Sequence, residues 1–269
     1  MILRPAYIEA IRPFMDQPLV KILAGVRRCG KSTIFEMLAD ELRRRGIPED
    51  HIIQKRYTEM DIPADISAKD MYDDLKMQIQ GKDRCYLLLD EIQEVKGWEK
   101  AVNGLLEGAD VDIYVTGSNS KLMSSEISTY LTGRYVSIPV YPLSFREFLD
   151  FKAGDPRPAK ELLEDHIRFG GFPIIALGNY DAQSAYQIVN GIYHTVISRD
   201  IVKRHRINKQ DLFDRVVKYL MENMGKTFSA SSITKFLRSE HRTVSVESIY
   251  NYLRWLEQAF IIYPCHRYD

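Results

Sequence analysis

Gly25-Val26-Arg27-Arg28-Cys29-Gly30-Lys31-Ser32, followed by Thr33, carries the spacing of a phosphate-binding P-loop: glycine, four residues, then Gly-Lys-Ser. Glycines let the backbone curl so that successive N–H groups face an anion. The helix opening at Lys31 adds its N-terminal dipole. Lys31 is then placed for the β- and γ-phosphates, and Ser32 for a magnesium ion. Residue usage alone produces this pattern in roughly one chain in a hundred of this length, so the context decides. Residues 19–24 (LVKILA) are a β-rich run entering the loop. Residues 31–45 place Ile34, Phe35, Leu38 and Leu42 on one helical face and end in Arg43, Arg44, Arg45 and Gly46.

A second strong signal lies at 84–92, RCYLLLDEI. Four apolar residues, Tyr86 to Leu89, predict a strand buried on both faces. It ends on Asp90 and Glu91, at the strand end where acids meet a nucleotide in parallel sheets. Asp90 suits the metal's water shell, and Glu91 suits orientation and deprotonation of an attacking water. A further strand at 111–117 ends in Ser118, Asn119 and Ser120. Ser118 or Asn119 can touch the γ-phosphate or its attacking water, with a helix N-cap as the competing role. A helix is expected from Lys121 to Leu131, a fifth strand over 135–141, and a capping box at Ser144 and Glu147. Strands alternating with helices predict a parallel α/β sheet with flanking helices.

The 269 residues are enough for a P-loop domain and something smaller. Lys+Arg and Asp+Glu are equal at 37 each, so no global charge argues for nucleic acid or membrane. No run is long and apolar enough to span a bilayer. Cys29, Cys85 and Cys265 lie far apart without metal spacing, which fits a reduced cytoplasm. Within the loop, Arg27 and Arg28 either add charge toward phosphate or pair with acids. Val26 and Cys29 supply backbone, and Cys29 is also a candidate for oxidation.

The second half changes character. Residues 151–160 hold a Pro/Gly break. Helices are expected over 159–169, 181–202, 209–224, 229–238 and 245–259, with a closing β-like run at 260–268. Helix, helix, turn, helix and strand is a winged-helix-like order. The chain is therefore divided as 1–150 (P-loop domain), 151–208 (helical linker or lid) and 209–269 (winged-helix-like domain). The basic stretch Lys203–Arg206, with Asn251 and Arg254 and with Tyr250 and Tyr252 as stacking or packing groups, invites a DNA reading, and a protein partner is the competing one.

Together GVRRCGKST, LLLDEIQ, VTGSNS, LTGRYVSIPVYPLSFREF, GGFP and SRDI resemble AAA+ ATPases. More narrowly, they resemble a prokaryotic group that usually carries a C-terminal domain of unknown function. The resemblance implies ATP as ligand with Mg²⁺, Lys31 and Ser32 as Walker A, and Asp90 and Glu91 as Walker B. It implies Ser118 or Asn119 as sensor, Arg134 as arginine finger, and homo-oligomerisation. It also implies a shortened form, since the chain stops at Asp269 where that further domain would join. The function expected is Mg²⁺-dependent ATP hydrolysis that switches the second half. A nucleotide-gated DNA-binding or regulatory switch with little turnover is one rival. A small-molecule kinase is another, less suited to an acid pair.

Overall fold

The computed structural model describes residues 2–63, 65–119, 122, 130, 131 and 133–265. They fall into two compact units, Met1–Val189 and Asn190–Asp269.

The first unit is built on five parallel strands: β1 (Val20–Ala24), β2 (Ile52–Arg56), β3 (Cys85–Asp90), β4 (Val111–Gly117) and β5 (Tyr135–Pro139). Their order is β2-β3-β4-β1-β5. Every residue of β1, β3 and β4 is buried, as their continuous apolar runs require of interior strands, whereas β2 and β5 are partly exposed edges. The phosphate-loop strand β1 is interior, but β4 holds the middle position.

Helices α1 (Pro5–Ile11), α2 (Lys31–Arg44), α3 (Ala68–Ile79) and α4 (Trp98–Gly108) accompany the sheet. In α2 the predicted face of Ile34, Phe35, Leu38 and Leu42 is buried. A Ser67–Asp70 capping box starts α3. The N-terminal helix ends at Ile11. It gives way to a 3₁₀ turn at Arg12–Phe14, where Pro13 lacks an N–H, and Asp16 then turns left-handed at φ 63°. The helix expected from Lys121 to Leu131 lies mostly outside the described residues.

Beyond β5, helices α5 (Phe145–Phe151), α6 (Ala159–Phe169) and α7 (Pro173–Leu177) enclose a small core of their own. Leu143, Phe148, Leu162, Phe169, Ile175, Ala176 and Ala185 form it. The predicted Ser144–Glu147 capping box opens α5.

Helix α8 (Ala182–Thr195) contains the division between the units and continues as π-helical turns, Val196–Lys203. The second unit then has α9 (Gln210–Glu222), α10 (Ala230–Ser239) and α11 (Val246–Gln258), around Phe213, Val216, Ile233, Leu237, Ile249 and Leu256. The helix–turn–helix part of the expected order is present. The closing strand is not: Phe260 turns left-handed (φ 58°), Ile261 N–H donates back to Leu256 O at 2.9 Å, and Ile261–Cys265 has no regular structure. Residues 266–268 lie outside the described residues. No strand, and hence no wing, occurs among the described residues of this unit.

Candidate functional site

Parallel strands share one carboxyl end, and the order β3-β4-β1 decides what meets there. The loop leaves β1 after Ala24, Asp90–Glu91 leave β3, and Ser118–Asn119 leave β4 between them. Asp90 stands in register with Arg56 of β2, and one step beyond the Leu89–Val115 pair puts it beside Thr116 of β4.

The loop has the shape its glycines demand. A Cβ on Gly25 would lie 2.0 Å from Val140 O, so only glycine fits. Gly30 is left-handed (φ 101°) and caps α2, and Arg28 is also left-handed at φ 65°. Lys31 is buried beneath the loop. Its Nζ donates to Gly25 O at 3.0 Å and Val26 O at 3.2 Å, and stands 3.7 Å from Glu91 Oε1. Ser32 Oγ donates to Asp90 Oδ2 at 2.6 Å. Thr33 follows in the first turn of α2. The sheet thus joins loop and acid pair through two direct contacts.

Asp90 is buried and saturated with donors. Arg56 Nε reaches its Oδ2 at 3.0 Å, and the Thr116 hydroxyl donates to its Oδ1. Thr116 Oγ1 also accepts the Glu91 N–H at 3.0 Å. That bond pins a residue in the left-handed region, φ 55°. Gln93 Nε2 donates to Glu91 Oε2 and lies 3.4 Å from Ser118 Oγ. A Cβ on Gly117 would come within 2.3 Å of Gln93 Oε1 and 1.9 Å of Leu122 Cδ1, so any larger residue there displaces those side chains. Ser118 and Asn119 are both buried. Sequence reasoning missed Thr116, Gln93 and Arg56. Thr116 and Gln93 lie within the quoted VTGSNS and LLLDEIQ phrases and Arg56 outside them, on β2, and all three roles depend on strand order.

Other predicted residues fall elsewhere. Arg27 pairs with Glu94 at 3.7 Å, the acid-pairing alternative, and Arg28 is exposed. Cys29 is fully buried, and burial pushes its thiol pKa up, which removes the exposed thiolate that oxidation needs. Arg134 is at the opposite end of the sheet. Its carbonyl accepts the Val20 N–H at the start of β1, and its Nη2 holds Asn103 Oδ1 (2.9 Å) and Glu107 Oε1 (2.5 Å) on α4. Five strand residues at about 3.3 Å each put it roughly 15 Å from the level of the loop. In the second unit, Tyr252 is core, packed edge-on to Phe213, while Tyr250 is exposed. His205 of the basic stretch stacks on Trp255 at 4.3 Å. Asp200 is buried in the π-helical turns, and Arg199 is exposed.

A serine hydroxyl and a carboxylate 2.6 Å apart form a hard-oxygen pair of the kind that suits magnesium, so the donor set fits that ion. No cluster of three or more acidic, histidine or cysteine side chains able to hold a metal unaided occurs among the described residues. No helix among them is long and apolar enough to cross a membrane.

A glycine-cornered loop between a buried parallel strand and a helix, facing an acid pair across a 5-1-4-3-2 sheet, defines a P-loop α/β protein. A model described as an AAA domain matches residues 17–149, and one described as a domain of unknown function matches 160–269. An uncharacterised protein of Haemophilus influenzae is 34% identical over the whole of this chain, which covers 68% of that protein. An uncharacterised protein of Methanocaldococcus jannaschii is 30% identical over 93% of this chain, which spans 57% of that relative. The chain belongs to this family of AAA-domain proteins. Among solved structures, AMPPCP-bound DnaA from Aquifex aeolicus aligns with 96% of this chain and 89% of its own. Its identity is 12% and its TM-score 0.42. The Hsp104–ADP complex of S. cerevisiae aligns with 96% of this chain and 39% of its own, at 16% identity and TM-score 0.48.

Proposed function

We propose that the first unit binds ATP with Mg²⁺ and hydrolyses it. The observation that carries this reading is the double contact of loop and acids: Ser32 with Asp90 at 2.6 Å, and Lys31 with Glu91 at 3.7 Å. Lys31 exchanges its bonds to the Gly25 and Val26 carbonyls for phosphate oxygens, placing its positive charge on the transferred group. Ser32 and Asp90 would hold a magnesium ion, which would supply charge neutralisation on the phosphates. Glu91, relieved of Lys31, orients a water and takes its proton. Gln93, bonded to Glu91 and 3.4 Å from Ser118 Oγ, helps to hold that water, together with Ser118 and Asn119 at the end of β4. Arg134 is too far from its own loop to act there, so a catalytic role for it requires a second copy of the chain.

Hydrolysis then repositions the helices that follow the sheet, and the second unit's helix–turn–helix delivers the change to a nucleic-acid or protein partner. Titration with ATP, with and without Mg²⁺, tests the binding step. Saturable binding that Lys31→Ala weakens about tenfold or more supports it, and equal affinity of both proteins refutes it.

A further inference from the structure

Arg4 is a charged side chain far from the phosphate loop in sequence, yet only 2% exposed. A guanidinium so deeply buried has to be paired, and this one is paired on every side. Its Nε donates to Glu147 Oε1 at 2.7 Å, and Nη2 reaches Glu147 Oε2 at 3.2 Å, a forked contact. Nη2 also donates to Tyr141 O at 3.0 Å and to the Tyr7 hydroxyl at 3.3 Å, and the group lies 4.5 Å above the Tyr7 ring. The last donor, Nη1, reaches Cys29 O at 2.9 Å. Cys29 sits in the phosphate loop, between left-handed Arg28 and left-handed Gly30.

We infer that Arg4 is a positioning residue for the phosphate loop, clamped by Glu147 so as to hold the Cys29–Gly30 peptide in its anion-receiving orientation. A trans peptide points its C=O and the following N–H in opposite directions. Tying Cys29 O to Arg4 therefore directs the Gly30 N–H to the other side. Were the peptide to turn over, a carbonyl oxygen would face the phosphates instead. The clamp's other end is equally fixed. Glu147 completes the Ser144 capping box of α5, Val140 N–H donates to Ala24 O at 2.7 Å, and Val140 O packs against Gly25. Segment 140–147 thus grips the loop at Gly25 directly and at Cys29 through Arg4. A lysine could not replace Arg4, because one ammonium cannot reach Glu147, Tyr141 O and Cys29 O together.

The inference rests on the ATP-binding reading, and the experiment separates the two. The 269-residue wild type, Arg4→Lys, Glu147→Gln and the double variant are compared. The measurements are the Kd of a fluorescent ATP analogue, kcat and KM for phosphate release from ATP, and the melting midpoint. Glutamine keeps a capping-box side chain at 147 while removing the charge, so this variant decides the matter if Arg4→Lys fails to fold. The expected result is a Kd and KM raised about tenfold or more in each single variant, with kcat moved far less, because loop shape governs binding. The double variant should be no worse than the weaker single one. Folded variants with wild-type Kd and KM would overturn the inference while leaving ATP binding intact. A fall in apparent kcat that merely tracks loss of folded protein, with KM and Kd unchanged, would also overturn it. Failure of the wild-type chain to bind the analogue would overturn the underlying reading, and the inference with it.

Discussion

Lys31 Nζ stands 3.7 Å from Glu91 Oε1 while donating to two carbonyls of its own loop. The cation of the phosphate loop and the second carboxylate of the acid pair thus restrain each other, and a polyanionic ligand that draws Lys31 away would release Glu91. Lys31→Ala removes charge-assisted bonds worth about 1.5–3 kcal/mol each, so ATP affinity should fall about tenfold to a hundredfold or more. Calorimetric titration measures this directly.

Thr116 serves Asp90 and the Glu91 backbone at once. Thr116→Val keeps the shape and deletes the hydroxyl, leaving the Glu91 N–H without its acceptor. The stability loss should be about 1–3 kcal/mol in denaturant unfolding. Thr116→Ser should recover most of it, because the hydroxyl returns; equal loss in both variants would assign the cost to packing.

Gly117 has no room for a methyl group. Gly117→Ala places a Cβ 2.3 Å from Gln93 Oε1, so Gln93 must leave Glu91 and Ser118. Overpacking of this kind costs about 1–3 kcal/mol. Turnover should fall further than the melting midpoint alone accounts for, and a variant with wild-type kcat would show that Gln93 does not orient Glu91.

Much of this site was legible in the sequence, and the limit has a physical cause. Lys31, Ser32, Asp90 and Glu91 could be placed because each lies at a strand end that a local apolar run announces. The capping boxes at Ser67–Asp70 and Ser144–Glu147 are equally local. Thr116, Gln93 and Arg56 belong to the site through strand order and register, which no single segment encodes. Arg4 was illegible for the same reason: its partners lie 25, 137 and 143 residues away. Buried Lys21, paired with Asp112 between β1 and β4, also hides inside an apolar run. The closing strand failed for a different reason, because the left-handed turn at Phe260 redirects a segment of high β-propensity.

Glu147 gives the first unit a pH signature. Burial raises its pKa, but the Arg4 bonds and the Ser144 N–H outweigh this and hold it below its ordinary 4.5. A carboxyl with a lowered folded-state pKa contributes stability that is present above the unfolded value and lost as pH falls through the folded one. Wild type should therefore lose its advantage over Glu147→Gln as pH is taken from 7 to below 4.5, measured by denaturant unfolding at each pH. A constant difference across that range would show that the carboxylate is not the source of the stabilisation.

The assignment of Glu91 is tested most directly by phosphate release from ATP in Mg²⁺ buffer, wild type against Glu91→Gln, with ATP affinity measured on the same samples. The side chains are nearly isosteric, so binding should be unchanged while turnover falls by about 10²–10⁴-fold. Full turnover by Glu91→Gln would contradict the account.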